Sequence, residues 1–335
     1  MHAETMSRAA FELVSEAIGE IDLYRQSRDR NHLLVARSKL DDALQKDRRY
    51  VNAVFYSGVV NDLIGHISDA ILSFRAILAE GVEGAPIVLE QVRYNLAVSL
   101  YHRYSRKYLE EAEVEFLAVL ETTEDPLLRC LARAGLAQTY AMWEIPPDPD
   151  ARDAREDRLL EDLFRKSREF SDLTLAQLED LEEIPEALRR QIRATAFNAQ
   201  GMALMYYTDY RGEDRNEQLR EALTRLRKAD QLFPLDWANT CDLGSCHMRL
   251  GYWEHSAADF EECRKHLGQV VEDLRPEYGF ALYEIGRSYR IQGRFQEALA
   301  YLERARAIPK AERDVGDTRV NREIRLAESA STLYP

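Results

Sequence analysis

The chain has 335 residues, of which 45% are apolar, and a formal net charge of −14, so its composition is that of a folded and acidic protein. Nucleic-acid backbones and anionic membranes are disfavoured as main partners, because both are bound by basic surfaces. No apolar run reaches about 18 residues, the length that a membrane span requires, so we expect no membrane span.

The distribution of residue types favours an all-α chain. The 15 glycines and 10 prolines fall mainly between segments of helical periodicity. The first residues lack the basic and apolar regions of a secretion signal. The four cysteines form no CxxC pair and no disulfide framework. We therefore expect reduced, buried thiols in a cytoplasmic protein.

Helical spacing begins near the N-terminus and comes in pairs of helices. A first helix is expected at about Ser7–Tyr24, and a second helix carries Ala36 and Leu40. Clearer pairs follow at residues 50–80 and 86–121. The loop GVEGAP between them contains glycines and a proline, which end a helix.

The pattern changes after the helix that carries Leu136 and Tyr140. The segment IPPDPD at 145–150 cannot continue a helix, because proline lacks the amide donor and clashes with the preceding turn. A long, charged helix is expected beyond it, at about Ala151–Leu181. Its expected inner edge consists of Leu159, Leu163, Phe170, Leu173 and Leu178.

Three more helix pairs are expected in the second half of the chain. They lie at about 197–234, 235–268 and 279–309, and the first of them contains a charged insertion around 210–216. A mostly polar helix at about Thr318–Ser329 follows. Its sparse apolar residues suit a lid over the last pair, which a stacked array needs in order to stay soluble.

The pair at 279–309 carries the most complete motif, with small residues where two helices meet and large ones around them. Its residues are Leu282, Ile285, Gly286, Tyr289, Ala298, Leu302 and Ala305, closed by Pro309. This order resembles the tetratricopeptide repeat, a helix-turn-helix unit of about 34 residues. Similar units recur about seven times along the chain, most clearly at 50–80, 86–121, 235–268 and 279–309.

The resemblance implies an all-α fold, a right-handed superhelical α-solenoid of TPR-like helix pairs with a C-terminal capping helix. We expect N-terminal repeats at 1–145 and C-terminal repeats at 185–310. Between them lie the proline-rich break and the long charged helix, at 146–184, and the capping helix and tail occupy 311–335.

The resemblance also implies a concave face that is lined by the first helix of each pair and binds a partner. The expected lining residues are Phe55, Tyr94, Asn95, Tyr101, His102, Asn198, Met202, Tyr206, Met248, Phe280, Tyr283, Arg287 and Arg290. Aromatic, methionine and amide side chains suit an extended or helical peptide of another protein. Arg287 and Arg290 would receive an acidic residue or a C-terminal carboxylate. Alternatively, some of these side chains pack on the long charged helix, which would then fill the superhelix from inside.

No catalytic constellation and no phosphate-binding or metal-binding motif occurs in the sequence. The strongest candidate is the group Cys241, Cys246, His247 and Cys263. However, helical positions five apart point about 140° from each other, so Cys241 and Cys246 do not converge. We therefore expect these residues to be structural, with no metal and no cofactor.

These observations favour a non-enzymatic scaffold or adaptor that recognises a peptide or helical segment of another protein. A ligand- or peptide-responsive regulator of the bacterial TPR receptor type and a self-assembling repeat protein remain alternatives. Chaperone-binding repeats clamp an acidic motif with Lys, Arg and Asn. Because Phe55, Val59 and Val98 occupy the comparable positions here, that role is disfavoured. The oligomeric state is open.

Overall fold

A computed structural model describes residues 2–81, 87–103, 105–142, 154–207, 214–276, 278–309 and 315–333. These residues form fifteen α-helices and no β-strand, which confirms the predicted all-α class. The proline-rich segment at 145–150, most of the GVEGAP loop and the first part of the 210–216 insertion lie outside the described residues.

Two compact units divide the chain between Ala132 and Arg133, within helix α7. The first unit contains six complete helices. They are α1 His2–Ser27, α2 Arg30–Lys46, α3 Val51–Ile64, α4 Ile67–Glu80, α5 Leu89–Tyr101 and α6 Arg106–Thr122. Helix α7 spans Pro126–Ala141.

The second unit contains the remaining helices and a short π-helical turn at Val270–Leu274. The helices are α8 Ala154–Asp180, α9 Glu186–Tyr207, α10 Arg215–Leu232, α11 Trp237–Glu254, α12 Ala257–Gln269, α13 Gly279–Ile291, α14 Phe295–Ala307 and α15 Asp317–Leu333. Within each unit, consecutive helices pack as pairs and each pair packs on the next. Helix α15 covers the last pair, α13 and α14, as the capping helix was predicted to do.

Small residues on the first helix let the two helices of a pair approach closely. In α13, a Cβ added to Gly286 would lie 2.6 Å from Leu302 Cγ of α14. In α3, a Cβ added to Gly58 would lie 2.7 Å from the Phe74 ring of α4. Both distances are far below a van der Waals contact, so only glycine fits beside these large side chains.

The long charged helix predicted at about 151–181 is α8, and it serves as the second helix of a pair. The Ser167 hydroxyl donates a hydrogen bond to the carbonyl of Ala137 in α7, at 2.9 Å. Arg133 of α7 donates to Gln177 of α8, at 2.7 Å. On its other side α8 packs against α9. The fourth repeat is therefore a helix pair whose connection is longer than in the other repeats.

None of the described helices combines the length and the apolar character that crossing a bilayer requires.

The close contact at Gly286 predicts a large effect of one added methyl group. We expect Gly286→Ala to lower the free energy of unfolding by about 1–3 kcal/mol, because Leu302 and the Ala298 carbonyl must move. Urea unfolding followed by circular dichroism measures the change.

Gly268→Ala in α12 is the matched control, since no atom lies within 4 Å of a Cβ added at that position. We expect this variant to be as stable as the wild type or more stable by up to about 1 kcal/mol. Equal losses in the two variants would contradict a role for close packing at Gly286.

Candidate functional site

In the second unit, α11 is more deeply buried than a helix that lines an open groove would be. Residues 239–248 of α11 are all buried, although they cover every side of the helix. This follows from the neighbours of α11, because α9, α10, α12 and α13 all pack against it.

The predicted lining residues of the second unit divide into two groups by burial. Asn198 and Met202 are 0% exposed, Met248 is 1% exposed and Tyr283 is 7% exposed. The half-buried residues, which still reach solvent, are Tyr206, Phe280, Arg287 and Arg290. In this structure, a partner can therefore contact the half-buried residues directly, but not the buried ones.

The predicted lining residues of the first unit divide in the same way. Phe55 and Tyr101 are buried, whereas Tyr94, Asn95 and His102 are half-buried. The Tyr94 ring contacts Phe116 edge-on, with 5.9 Å between ring centroids. Burial raises the pKa of Tyr94 to about 12, so its hydroxyl stays protonated at neutral pH.

Two of the half-buried residues of the first unit, His102 and Asn95, make polar contacts with other residues of the chain. His102 Nδ1 lies 3.0 Å from Asp62 Oδ1, which joins the C-terminal ends of α5 and α3. The Asn95 side chain donates to the carbonyl of Gln91 one turn earlier, at 2.8 Å. A partner would bind the hydrogen-bonding groups of the Asn95 side chain that this bond does not use.

A line of polar side chains connects three successive first helices of the second unit. Gln138 Nε2 of α7 donates to Asn198 Oδ1 of α9, at 3.1 Å. Asn198 Nδ2 donates in turn to Asp242 Oδ2 of α11, at 2.9 Å. We call Gln138, Asn198 and Asp242 the polar ladder. Asn198 was predicted to line the concave face, whereas its partner Asp242 was not among the predicted residues.

Asp242 is a buried acid with an unusual pKa. Burial raises its pKa from 3.8 to about 7, although the hydrogen bond from Asn198 and the nearby charge of Arg249 act against the shift. The negative charge of Asp236 also raises the pKa of Asp242, by less than burial does. The carboxyl group therefore changes its protonation state near neutral pH.

The half-buried residues of the second unit pair aromatic rings with guanidinium groups. The Arg249 guanidinium carbon lies 4.7 Å from the centroid of the Tyr206 ring, a cation–π distance. Burial raises the pKa of Tyr206, which keeps the ring neutral. This pair joins the last turn of α9 to the C-terminal part of α11.

The two arginines predicted to receive an acidic group already have carboxylate neighbours. Arg290 donates to Glu323 of α15. Arg287 Nη1 lies 3.5 Å from Glu284 Oε1, and this carboxylate raises the pKa of Arg287. A partner carboxylate would therefore join or displace these acids.

The four cysteines are free and buried. Cys246 Sγ donates to the carbonyl of Leu219, at 3.4 Å. Burial raises the pKa of the Cys246 thiol to about 12 and raises the thiol pKa of Cys241 and Cys263 as well. Since the thiolate is the reactive and metal-binding form, these thiols are held in their inert form.

His247, which was grouped with the cysteines in the sequence and expected to be structural, meets a second histidine in the pair of α11 and α12. The rings of His247 and His266 are parallel, with 5.9 Å between their centroids. Burial lowers the pKa of His266 to about 4, and the neighbouring His247 acts in the same direction. His266 is therefore neutral at neutral pH.

Comparison with known families identifies the repeat. Residues 236–311, which contain α11 to α14, match the family model described as "Tetratricopeptide repeat". No curated protein sequence matches the chain.

Similar solved structures are helical-repeat proteins of low sequence identity. A tetratricopeptide repeat protein from Parabacteroides merdae is 12% identical, with a TM-score of 0.48 over 96% of this chain and 99% of that one. A thermophilic TPR protein of Thermus thermophilus is 20% identical, with a TM-score of 0.47 over 72% of this chain and 99% of that one. The TPR2AB domain of yeast Sti1, in complex with pHSP90, is 12% identical, with a TM-score of 0.31 over 95% of this chain and 99% of that one.

The described residues of the chain form an all-α array of packed helix pairs. Residues 236–311 match the tetratricopeptide repeat, a fold that in general supports scaffolds for protein–protein interaction.

The burial of the thiols predicts low reactivity in the folded protein. We expect a water-soluble disulfide reagent to modify fewer than one of the four cysteines within minutes at pH 8, and all four in concentrated urea. Absorbance of the released thiol measures the count. Rapid modification of the native protein would contradict the inert thiols described above.

The raised pKa of Asp242 predicts a pH-dependent stability with a defined sign. Between its unfolded value of 3.8 and its native value of about 7, the native state binds the proton more tightly, so stability falls as the pH rises. From pH 5 to pH 8 we expect the wild type to lose on the order of 2 kcal/mol relative to Asp242→Asn.

Urea unfolding of both proteins at the two pH values measures this difference. Asparagine still accepts the hydrogen bond from Asn198, so the variant keeps the polar ladder without the titrating group. A pH dependence that is unchanged by the substitution would assign the effect to other groups.

Proposed function

We propose that this protein is a non-enzymatic interaction scaffold, whose first helices bind a peptide or a helical segment of a partner protein. The proposal starts from the tetratricopeptide repeats at 236–311 and from the stacked helix pairs of both units. Within the second unit, the binding surface consists of the residues on α9, α11 and α13 that reach solvent. We call Tyr206, Arg249, Phe280 and Arg287 the exposed edge.

The chemistry of the exposed edge supports protein binding. All four residues are half-buried, and each is an aromatic residue or an arginine. These residue types are enriched in the energetically dominant positions of protein interfaces, because they combine a large contact area with hydrogen-bonding groups. Their partial burial also restricts their rotamers, which reduces the entropy lost on binding.

Arg287 carries the proposal, because most of its hydrogen-bonding capacity is unused. Its side chain is 35% exposed, and among the described residues its one acceptor is Glu284 Oε1, at the long distance of 3.5 Å. A guanidinium offers five N–H donors, and two of them fit a carboxylate side by side. The partner segment therefore presents an acidic side chain or a free C-terminal carboxylate to Arg287.

The predicted lining residues of the first unit offer a second, separate contact surface. Tyr94 and His102 present half-buried polar groups on α5 and at its end, and Asn95 presents an amide. Amide side chains can hold a peptide backbone through one donor and one acceptor. We propose this surface as an additional contact for an extended segment, with the buried ring of Phe55 packed beneath it in the core.

Selection from a phage-displayed library of random peptides tests the proposal directly. We expect the full chain to enrich peptides that contain an acidic residue or end in a free carboxylate. Arg287→Gln should weaken the binding of a selected peptide by tenfold or more, because a hydrogen bond to a charged group contributes about 1.5–3 kcal/mol. Fluorescence anisotropy with the labelled peptide measures the affinity.

Arg325→Gln is the matched control, since Arg325 is an exposed arginine of α15 and the substitution changes the charge equally. It should leave the affinity unchanged within about twofold, as surface substitutions away from an interface do. Replacing the peptide carboxylate by an amide should reproduce the loss caused by Arg287→Gln. Failure to enrich any peptide, or equal losses in the two arginine variants, would reject the proposed site.

A further inference from the structure

Three side chains with metal-binding atoms converge at the pair of α11 and α12. His247 belongs to α11, and Glu262 and His266 belong to α12. One ligand atom from each of the three residues lies within 4.8 Å of the other two. His266 Nε2 and Glu262 Oε2 are 3.6 Å apart. We call His247, Glu262 and His266 the histidine cluster.

The helical pair places these residues together for simple geometric reasons. Glu262 and His266 are four residues apart, so they lie one above the other on the same face of α12. His247 lies on α11, which packs directly against α12, and its ring is parallel to the ring of His266. Ligands from two rigid helices are held more precisely than ligands on loops.

A fourth residue orients the buried histidine. Asp259 Oδ1 lies 2.7 Å from His247 Nδ1, so Nδ1 carries the proton and donates to the carboxylate. In the neutral ring, this hydrogen bond leaves Nε2 as the nitrogen that can bind a metal. Asp259 is itself fixed in the first turn of α12, where its amide donates to the capping Ser256 hydroxyl. This is the carboxylate–histidine arrangement that supports metal-ligating histidines.

The distances between the ligand atoms of the histidine cluster suit a small metal ion if the cluster contracts slightly. In a tetrahedral site with bonds of about 2.0–2.1 Å, neighbouring ligand atoms are about 3.3 Å apart. The contact between His266 and Glu262 is already close to this value at 3.6 Å, and the rest of the cluster must contract by about 1.5 Å or less. Rotation of the Glu262 and His266 side chains, which are 43% and 21% exposed, can supply this movement.

An ion-pair role alone does not account for the cluster. Lys265 contacts Glu262 at 3.1 Å, but the lysine side chain is 70% exposed and such surface pairs contribute little. That pair gives no reason for two parallel imidazoles with a buried, carboxylate-bound member. A bound cation would draw the three ligand atoms together and would replace Lys265 beside Glu262.

We propose that His247, Glu262 and His266 bind one Zn²⁺ ion, with Asp259 as the positioning residue for His247. Two imidazoles and one carboxylate form a mixed nitrogen and oxygen ligand set that zinc accepts in tetrahedral coordination. The three protein ligands leave one position for water or for a side chain of a bound partner. The ion links the two helices of this pair and fixes their relative position.

A titration of the untagged, full-length protein with Zn²⁺ tests the site, after metal has been removed with a chelator. We expect one ion per chain by isothermal titration calorimetry. His266→Ala should weaken binding at least tenfold, because one of three protein ligands is lost. His66→Ala is the matched control, since His66 belongs to the N-terminal unit, and it should leave the affinity unchanged.

Asp259→Asn tests the positioning role, and it should weaken Zn²⁺ binding by about 10–100-fold. Circular dichroism and thermal unfolding of each metal-free variant confirm that the helices remain folded. Co²⁺ in place of Zn²⁺ should give the visible bands of a nitrogen- and oxygen-ligated ion, and Asp259→Asn should alter these bands.

Three results would overturn the proposal. The first is a stoichiometry well below one ion per chain. The second is equal affinity in wild type and His266→Ala. The third is a strong near-ultraviolet charge-transfer band with Co²⁺, because it would assign the ligands to cysteine thiolates.

Discussion

The structure depends on the contact between a glycine of one helix and a large side chain of the next. At Gly286 and Gly58 this contact brings two backbones so close that no Cβ fits between them. A helix pair held in this way still has an apolar face, and the next pair covers it. The same close approach encloses α11, whose residues 239–248 are buried on every side. Dense packing at the repeat junctions therefore decides which side chains remain accessible to a partner.

This packing gives the first helices two chemically different parts. The enclosed part contains Asn198 and Asp242 of the polar ladder, which are buried and hydrogen-bonded to each other, while Gln138 is half-buried. The accessible part contains Tyr206, Arg249 and Arg287, whose rings and guanidinium groups are half-buried. Buried polar groups that are fully hydrogen-bonded define a single arrangement of the helices, and the accessible groups are then presented in fixed positions. The histidine cluster lies apart from both, in the contact between the first and second helices of one pair.

The sequence predicted the helix pairs well, because glycine and alanine at fixed spacing report the close contacts directly. It predicted α8 less well. Leu163 and Leu178 are buried as expected, but Leu173 is 41% exposed. Between the buried leucines, the stripe is formed by Ser167, Ser171 and Thr174, whose hydroxyls donate hydrogen bonds to backbone carbonyls. A hydrophobic pattern cannot reveal such a stripe. Asp242 was missed for a related reason, since it owes its role to a partner brought near it by folding. His247 was grouped with the cysteines, whereas its neighbours in the fold are Asp259, Glu262 and His266.

The polar ladder affects how the repeats of the second unit unfold. Repeat arrays are held by nearest-neighbour contacts, so a weak junction lets one repeat open while the others persist. Gln138, Asn198 and Asp242 belong to three successive repeats, and each bond in the series closes a junction. If one repeat opens, the junction is exposed to water and the hydrogen bond across it is lost, at a net cost of about 0.5–1.5 kcal/mol. The ladder therefore adds to the coupling between these three repeats and makes the opening of one of them less favourable.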